Sequence, residues 1–406
     1  MSISQNFPNT RPSLNLNFAR SKTLDPRITF TRTSTGTYVD ESGVIRNAVA
    51  DEPRFDHDPE TGECLGLLIE EQRTNRVTNN EDLSLWKQNS NPTLNSNDTV
   101  SPDGNTTADK VTQTNQVFTG VSTDMSGITT NTVYSCSVFI KPDGDTTTRF
   151  GFYDTSNWQG SLDTDWSSGE PSTNGSLGGA SDIVYEEYPN GWYRASFKAS
   201  TQSNAFAGTV SFHCHPDRTG TGKSAWFWGA QLEAGAFPTS YIPTSGSTET
   251  RNPDKVSMEG DNFSDWYNQS EGTVFASFRA QAQPSATKYL MGISNNSSGE
   301  LIYIRATASG SDSAMRDGGS DVAYKPIAYS RDINTLSKHC VSYKQNDFIV
   351  SAQGQISTVD DNCTVPTPTN ISIGSLYNTT HLGGTISQLT YYPRRLTNTQ
   401  LQNLTK

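Results

Sequence analysis

Two tryptophans in a polar stretch are the residues of this sequence best suited to bind a ligand. Trp158 and Trp166 lie in DTSNWQGSLDTDWSSGEPSTNG, where Asp, Asn, Gln and Ser surround them. An exposed indole can stack on the apolar face of a sugar while nearby polar side chains bond to its hydroxyls. We therefore predict a glycan-binding platform at Trp158 and Trp166. The alternative is that each ring covers an edge of the hydrophobic core.

Metal-ligating patterns are weak. His213 and His215 flank Cys214, so on a strand both imidazoles point to one side, and two such ligands can hold a metal only if others converge. No CxxC or HExxH pattern supplies them, and the acidic turns at residues 142–145 and 360–361 lack the spacing of a calcium loop. We predict no metal site and no cofactor.

Catalytic patterns are also lacking. The sequence contains no GxSxG, no Walker loop and no conspicuous Ser/His/Asp grouping. Glu186 and Glu187 are adjacent, so on a strand they face opposite ways and cannot by themselves form the carboxylate pair of a glycosidase. We predict that the protein is not an enzyme. A pair assembled from distant carboxylates, as in a glycan depolymerase, is the less favoured alternative.

The composition indicates the elements that must position these residues. Of the 406 residues, 32% are hydrophobic, 18% are charged and 10% are aromatic, while Ser, Thr and Asn make up about a third. Thr, Tyr and Phe favour strands, and Gly, Asn, Asp and Ser favour the turns between them. The chain is therefore predicted to be all-β.

The charge balance excludes some partners. A formal charge of −12 argues against a nucleic-acid partner, and no apolar run has the length of a membrane helix, so no membrane insertion is expected. The five cysteines are odd in number and widely spaced, which predicts reduced thiols and no disulfide framework.

Three segments follow one another along the chain. Residues 1–80 show hairpin signatures, with turns at residues 40–43 and 58–62, but too few apolar residues for a core, and are predicted to form an extended anchoring arm. Residues 81–250 and 251–406 each show a series of strands typical of a β-sandwich, joined by a polar linker near residues 245–254. Thr397 and Gln400 have capping-box spacing and predict a short terminal helix.

Three stretches carry a resemblance to known proteins. The stretch FTRTSTGTYVDESGVIRNAVADEPRFDHDPETGECLGLLIEEQRTN, roughly residues 29–75, resembles a block found in phage virion fibre and tail structural proteins. GWYRASF followed by WGAQLEAGAFPTSYIPT resembles the end of a carbohydrate-binding-module-like jelly roll. The terminal GGTISQLTYYPRRLTNTQLQNLTK resembles a concanavalin A-like (laminin G-like) sandwich. No glycan-contacting or calcium-binding residue set of these families matches positions here.

The resemblance implies a phage virion structural protein, a tail or head fibre, assembled in the host cytoplasm. Its lectin-like domains would attach to host-surface glycans, and the arm would bind other virion proteins. A homo-oligomer, a trimer in the first instance, is expected because fibres attach as closed symmetric assemblies. The alternative is a capsid decoration or cement protein that binds no glycan.

Overall fold

We describe a computed structural model of the chain. It describes residues 7–406 except residues 115, 117, 204–205, 207, 219–221, 282–286 and 331–334. Antiparallel β-sheets account for nearly all of the regular structure, which confirms the predicted all-β class. No helix within the described residues is long and apolar enough to cross a membrane.

The first segment contains seven short strands and one helical turn: β1 (Leu14–Leu16), α1 (Phe18–Ser21), β2 (Thr29–Thr31), β3 (Gly36–Val39), β4 (Ile45–Ala48), β5 (Phe55–His57), β6 (Cys64–Ile69) and β7 (Arg73–Asn75). The middle segment contains β8 (Lys87–Asn89), β9 (Thr93–Thr99), β10 (Ala108–Thr112), β11 (Gly120–Met125), β12 (Val133–Asp143), β13 (Thr147–Tyr153), β14 (Trp158–Asp165), β15 (Ser172–Leu177), β16 (Ser181–Tyr188), β17 (Trp192–Ser200), β18 (Val210–His215) and β19 (Ser224–Ala234), with 3-10 turns at Leu83–Leu85 and Pro189–Gly191.

The last segment contains β20 (Glu249–Arg251), β21 (Lys255–Glu259), α2 (Asp261–Ser264), β22 (Glu271–Ala280), β23 (Lys288–Ser294), β24 (Leu301–Thr307), β25 (Gly310–Asp317), β26 (Ser320–Ala328), β27 (Ser337–Lys344), β28 (Asp347–Ala352), β29 (Gln355–Ile356), β30 (Asn370–Ile373), β31 (Gly384–Tyr392) and α3 (Asn398–Thr405).

One sandwich is built from the two ends of the chain, and we call it the split sandwich. Its first sheet has the order β29-β28-β27-β22-β31-β6-β5, with β1 also paired to β31, and its second has the order β2-β21-β30-β23-β24-β25-β26. Leu14, Leu67 and Ile69 are buried in the same core as Val274 and Ile302. The first segment, predicted to be an arm, thus gains its burial by adding strands to both of these sheets.

The second sandwich, formed by β8–β19, is inserted between the two parts of the first, and we call it the inserted sandwich. Its sheets have the orders β16-β17-β12-β19-β10-β9 and β15-β14-β13-β18-β11-β8. Phe197 from the first sheet and Phe150 from the second meet in its core, with ring centroids 5.3 Å apart. The insertion is closed by a two-stranded ladder of β7 and β20, in which Asn75 lies opposite Glu249.

A fully buried ion network lies where the two sandwiches meet. Asp254 accepts from Arg32 (Nη1–Oδ1 3.1 Å) and from Arg54 (Nη2–Oδ2 2.6 Å), and Arg54 also contacts Glu70 (Nη1–Oε2 2.8 Å). Arg251 approaches the same oxygen of Glu70 at 3.4 Å. The structure therefore differs from the predicted polar linker at residues 245–254, because two charged residues of this stretch are buried in the junction.

A β-bulge in β19 changes the strand faces expected from simple alternation. Gly229 has φ +63°, and the pairing with β12 shifts by one residue at this point. Phe227 before the bulge and Leu232 after it both enter the core of the inserted sandwich. Trp228 packs instead on the opposite face, where Gln231 also lies buried and donates from its amide to Glu233 (Nε2–Oε2 2.9 Å). A one-residue insertion reverses which residues face inward.

Local turn and cap predictions hold in detail. The turn at residues 40–43 connects β3 to β4, and that at residues 58–62 connects β5 to β6. The terminal helix α3 begins after Thr397, whose side chain accepts from the Gln400 amide while the Gln400 side chain accepts from the Thr397 amide. All five cysteines are free thiols, and only Cys64 is more than marginally exposed.

Candidate functional site

The outer face of the β15-β14-β13-β18-β11-β8 sheet carries the candidate site. Along β18, Phe212 and Cys214 enter the core of the inserted sandwich, so His213 and His215 project from the outer face. Trp158 opens β14 directly opposite Tyr153, the last residue of β13. The end of β13, the start of β14 and strand β18 therefore bring four ring side chains to one surface.

These rings line an open groove of about 710 Å³. Trp158, Tyr153 and the two histidines form one part of its wall, and Phe118 and Leu177, which are 60% and 43% exposed, form another. Polar side chains stand beside the rings, and among them are Asn89, Ser156, Asn157 and Gln202. The groove combines apolar faces for stacking with amide and hydroxyl groups for hydrogen bonds, which is the usual make-up of a small-ligand site.

Trp158 is held in place by its neighbours. Its ring centroid lies 5.3 Å from that of Tyr153 and 5.5 Å from that of His213. The Arg149 guanidinium lies 5.3 Å from the indole centroid and is itself fixed by Asp163 (Nη2–Oδ2 2.6 Å). An indole oriented before a ligand arrives loses little conformational freedom on binding.

Both imidazoles of the groove are neutral at pH 7. Burial lowers the pKa of His213 to about 4 and that of His215 to about 3. The two rings stack with an interplanar angle of 12°, and His213 shares a hydrogen bond with the Ser211 hydroxyl (Nε2–Oγ 2.8 Å). The groove therefore offers polar atoms without a cationic imidazole.

The structure gives no support to a metal at the histidines or at the acidic turns. No group of three or more His, Cys, Asp or Glu side chains in the described part of the chain is arranged to hold a metal ion. In the acidic turns, Asp143 pairs with Lys110 (Oδ2–Nζ 2.8 Å) and Asp360 pairs with Lys325 (Oδ2–Nζ 3.4 Å).

Trp166 corrects the sequence interpretation. It is only 2% exposed, its indole N–H donates to the Thr148 hydroxyl (Nε1–Oγ1 3.0 Å), and its ring lies 5.3 Å from that of Tyr193. The polar stretch around it is not a loop, because β14 and β15 pair within it. The prediction that Trp166 is exposed for sugar stacking is therefore wrong, and its ring belongs to the core.

Sequence reasoning missed most of the groove. Tyr153, Phe118 and Asn89 come from three separate parts of the chain, and only the sheet order places them beside Trp158. One part of the groove could be predicted from the sequence: in VSFHCH, residues 210–215, strand alternation places both histidines on one face.

Comparison with known proteins yields structural similarities over about a third of the chain. No protein-family model matches the chain, and no curated protein matches it in sequence. The CBM40 of Ruminococcus gnavus IT-sialidase, bound to α2,3 sialyllactose, is 15% identical over 34% of this chain and 83% of its own, with a TM-score of 0.31. The leech intramolecular trans-sialidase is 16% identical over 37% of this chain and 26% of its own, with a TM-score of 0.31. A botulinum neurotoxin type C structure is 12% identical over 38% of this chain and 39% of its own, with a TM-score of 0.29. Similarity at this level carries no conclusion about the ligand of this chain.

Proposed function

We propose that the protein binds glycans, without cleaving them, through the groove at Trp158. One observation carries the proposal: an indole and a phenol ring line an open groove whose other side chains include amides and hydroxyls. Sugars present apolar C–H faces and rings of hydroxyls, so they match this mixture of surfaces.

The charges around the groove favour a neutral glycan. Both imidazoles are uncharged at pH 7, and the two nearby guanidiniums, those of Arg149 and Arg218, are balanced by two carboxylates, those of Asp163 and Asp217. The chain as a whole carries a formal charge of −12, which repels polyanions. Specificity would then come from hydrogen bonds and shape.

A single groove should bind weakly. Stacking one sugar ring on Trp158 removes roughly 100 Å² of apolar surface from water, worth about 2 kcal/mol before the entropy cost of association. Several grooves on one particle would raise the overall affinity because later contacts form at high effective concentration.

We further propose a setting for this activity: a structural protein of a phage virion, a tail or head fibre, that attaches the particle to host-surface glycans. The support is the resemblance of residues 29–75 to virion structural proteins. The protein would form a homotrimer, and residues 1–80 would contact other virion proteins. A capsid cement protein shares the resemblance but would leave the groove without a glycan.

The test compares two tryptophans of similar partial burial. Trp226 also lies on an outer strand face but on the other sheet, where Lys110 stacks on its ring at 4.4 Å. We expect Trp158→Ala to lower affinity for immobilised neutral polysaccharides from the host surface at least tenfold, and Trp226→Ala to leave it unchanged.

Three results would contradict the proposal. Equal losses in both variants would show a general effect of destabilisation. Absence of binding by the wild-type protein, with intact decoration of capsids, would favour the cement alternative. Shortened polysaccharide products would favour a depolymerase.

A further inference from the structure

A second pocket, of about 260 Å³, lies at the junction of the two sandwiches. Its walls come from the β3–β4 hairpin, from β5, from β16 and β17 of the inserted sandwich, and from β22 and β31 of the split sandwich. It is smaller than the roughly 300–1,000 Å³ of typical drug-sized ligand sites, so it holds one small molecule and not a chain. It is lined by none of the residues of the Trp158 groove.

Several buried polar atoms that line this pocket have no hydrogen-bond partner among the residues that the structure describes. His57 is 6% exposed, and its Nε2 makes no hydrogen bond; Thr385 is 3% exposed, and neither does its hydroxyl. The Gln281 side-chain oxygen at the same pocket is likewise unpaired. Buried polar groups are normally hydrogen-bonded, so a group of unpaired ones around one cavity indicates that the cavity can bind a polar ligand.

The chemistry of the unpaired atoms defines that ligand. His57 Nδ1 lies 3.0 Å from the Val39 carbonyl, which only accepts, so Nδ1 donates this hydrogen bond and Nε2 is the ring atom left for a ligand hydroxyl. The Gln281 oxygen is also an acceptor, and the Thr385 hydroxyl can accept or donate. The Arg194 Nε–H, which is also unpaired at this pocket, is a donor, so the pocket needs a molecule with several hydroxyls, which can both donate and accept.

Two carboxyl groups complete the lining. Asp56 accepts from the Val39 amide (N–Oδ1 2.7 Å), and Glu186 is hydrogen-bonded by the Tyr188 hydroxyl. Burial raises the pKa of Asp56 to about 7 and raises that of Glu186 above its usual range. Near pH 7 the Asp56 carboxyl is thus present in both forms, and the pair disfavours an anion.

We propose that this junction pocket binds one neutral polyhydroxylated molecule of monosaccharide size, held by Asp56, Glu186, His57 and Thr385. Tyr38, Phe139 and Tyr241 also line the pocket and supply faces for its apolar side. Because the walls come from both sandwiches, the bound molecule links them and stabilises their junction.

The test uses the full-length protein and methyl glycosides of neutral hexoses as probes, with calorimetry and saturation-transfer NMR as readouts. Glu187 is the matched control for Glu186, since it is adjacent on β16 but exposed. We expect Glu186→Gln and Thr385→Val each to weaken hexoside binding at least tenfold. Glu187→Gln should retain it.

Thermal midpoints separate binding from folding. The Thr385 hydroxyl has no partner within the described part of the chain, so Thr385→Val should leave the midpoint of the free protein unchanged or raise it. The inference fails if no hexoside binds the wild-type protein, if Glu186→Gln and Glu187→Gln bind equally, or if Trp158→Ala alone abolishes binding.

Discussion

Asp254 offers the sharpest test of how the two ends of the chain are held together. Both of its carboxylate oxygens are engaged in the junction: Oδ1 by Arg32, and Oδ2 by Arg54 and by the Glu70 amide (2.9 Å). The carboxylate and both guanidiniums are fully buried. Asp254→Ala would leave Arg32, whose other side-chain hydrogen bonds all go to backbone carbonyls, as a buried charge without a counterion.

The expected cost is large. Breaking a buried ion pair by removing one partner typically costs about 3–5 kcal/mol, because the remaining charge stays desolvated. For a domain of this size each kcal/mol lowers the thermal midpoint by about 2–4 °C, so the split sandwich should melt roughly 6–20 °C lower.

Calorimetry of the full-length variant measures this directly. Asp321→Ala is the matched control in the same sandwich, since Asp321 pairs with Arg316 at 2.8 Å but is 67% exposed. An exposed pair contributes about 0–1 kcal/mol, so the control should melt close to the wild-type protein. Equal midpoints for the two variants would refute the idea that the buried network holds the junction.

Two further predictions concern the same region. Deletion of residues 1–80 removes β1, β2, β5 and β6, so circular dichroism and calorimetry should show the split sandwich unfolded; a truncated chain that kept both sandwiches would contradict this topology. Acid should also weaken the junction, because the Arg251 and Arg54 guanidiniums outweigh burial and lower the pKa of Glu70 from 4.5 to about 2. The stabilisation from Glu70 is complete above pH 4.5 and is lost as the pH falls towards 2, by an amount on the order of 3 kcal/mol, and Glu70→Gln should remove this part of the pH dependence in urea-unfolding series.

Features that depend on neighbouring residues could be predicted from the sequence. The α3 capping box, the β3–β4 turn and the outward pair His213 and His215 each follow from a few adjacent positions. Hydrogen-bonding side chains and strand alternation act over that range, so a short stretch contains the whole cause.

Features that depend on distant pairing could not. Trp158 and Trp166 have similar polar neighbours in sequence, yet one lines an open groove and the other bonds to Thr148 in the core. The two residues are eight positions apart, so regular alternation along β14 would place both side chains on the same face. The pairing of β14 shifts register against both neighbouring strands, however. Each irregularity changes the face that later residues present, and the polar composition of the stretch gives no sign of it.

The insertion topology explains why a polar stretch between two strand series is not a flexible linker. A domain placed inside another must enter and leave it at neighbouring points, and here β7 and β20 provide them as one antiparallel pair. Two polypeptide connections at one place leave many backbone and charged groups to satisfy, and the network of Arg32, Arg54, Glu70 and Asp254 pairs the charged ones with each other. The same crossing creates the junction pocket, since strands from both sandwiches end there with polar groups left over. Glycan contact at the Trp158 groove and ligand binding at the junction are therefore separable properties: the first depends on one sheet face of the inserted sandwich, and the second on the integrity of the contact between the two sandwiches.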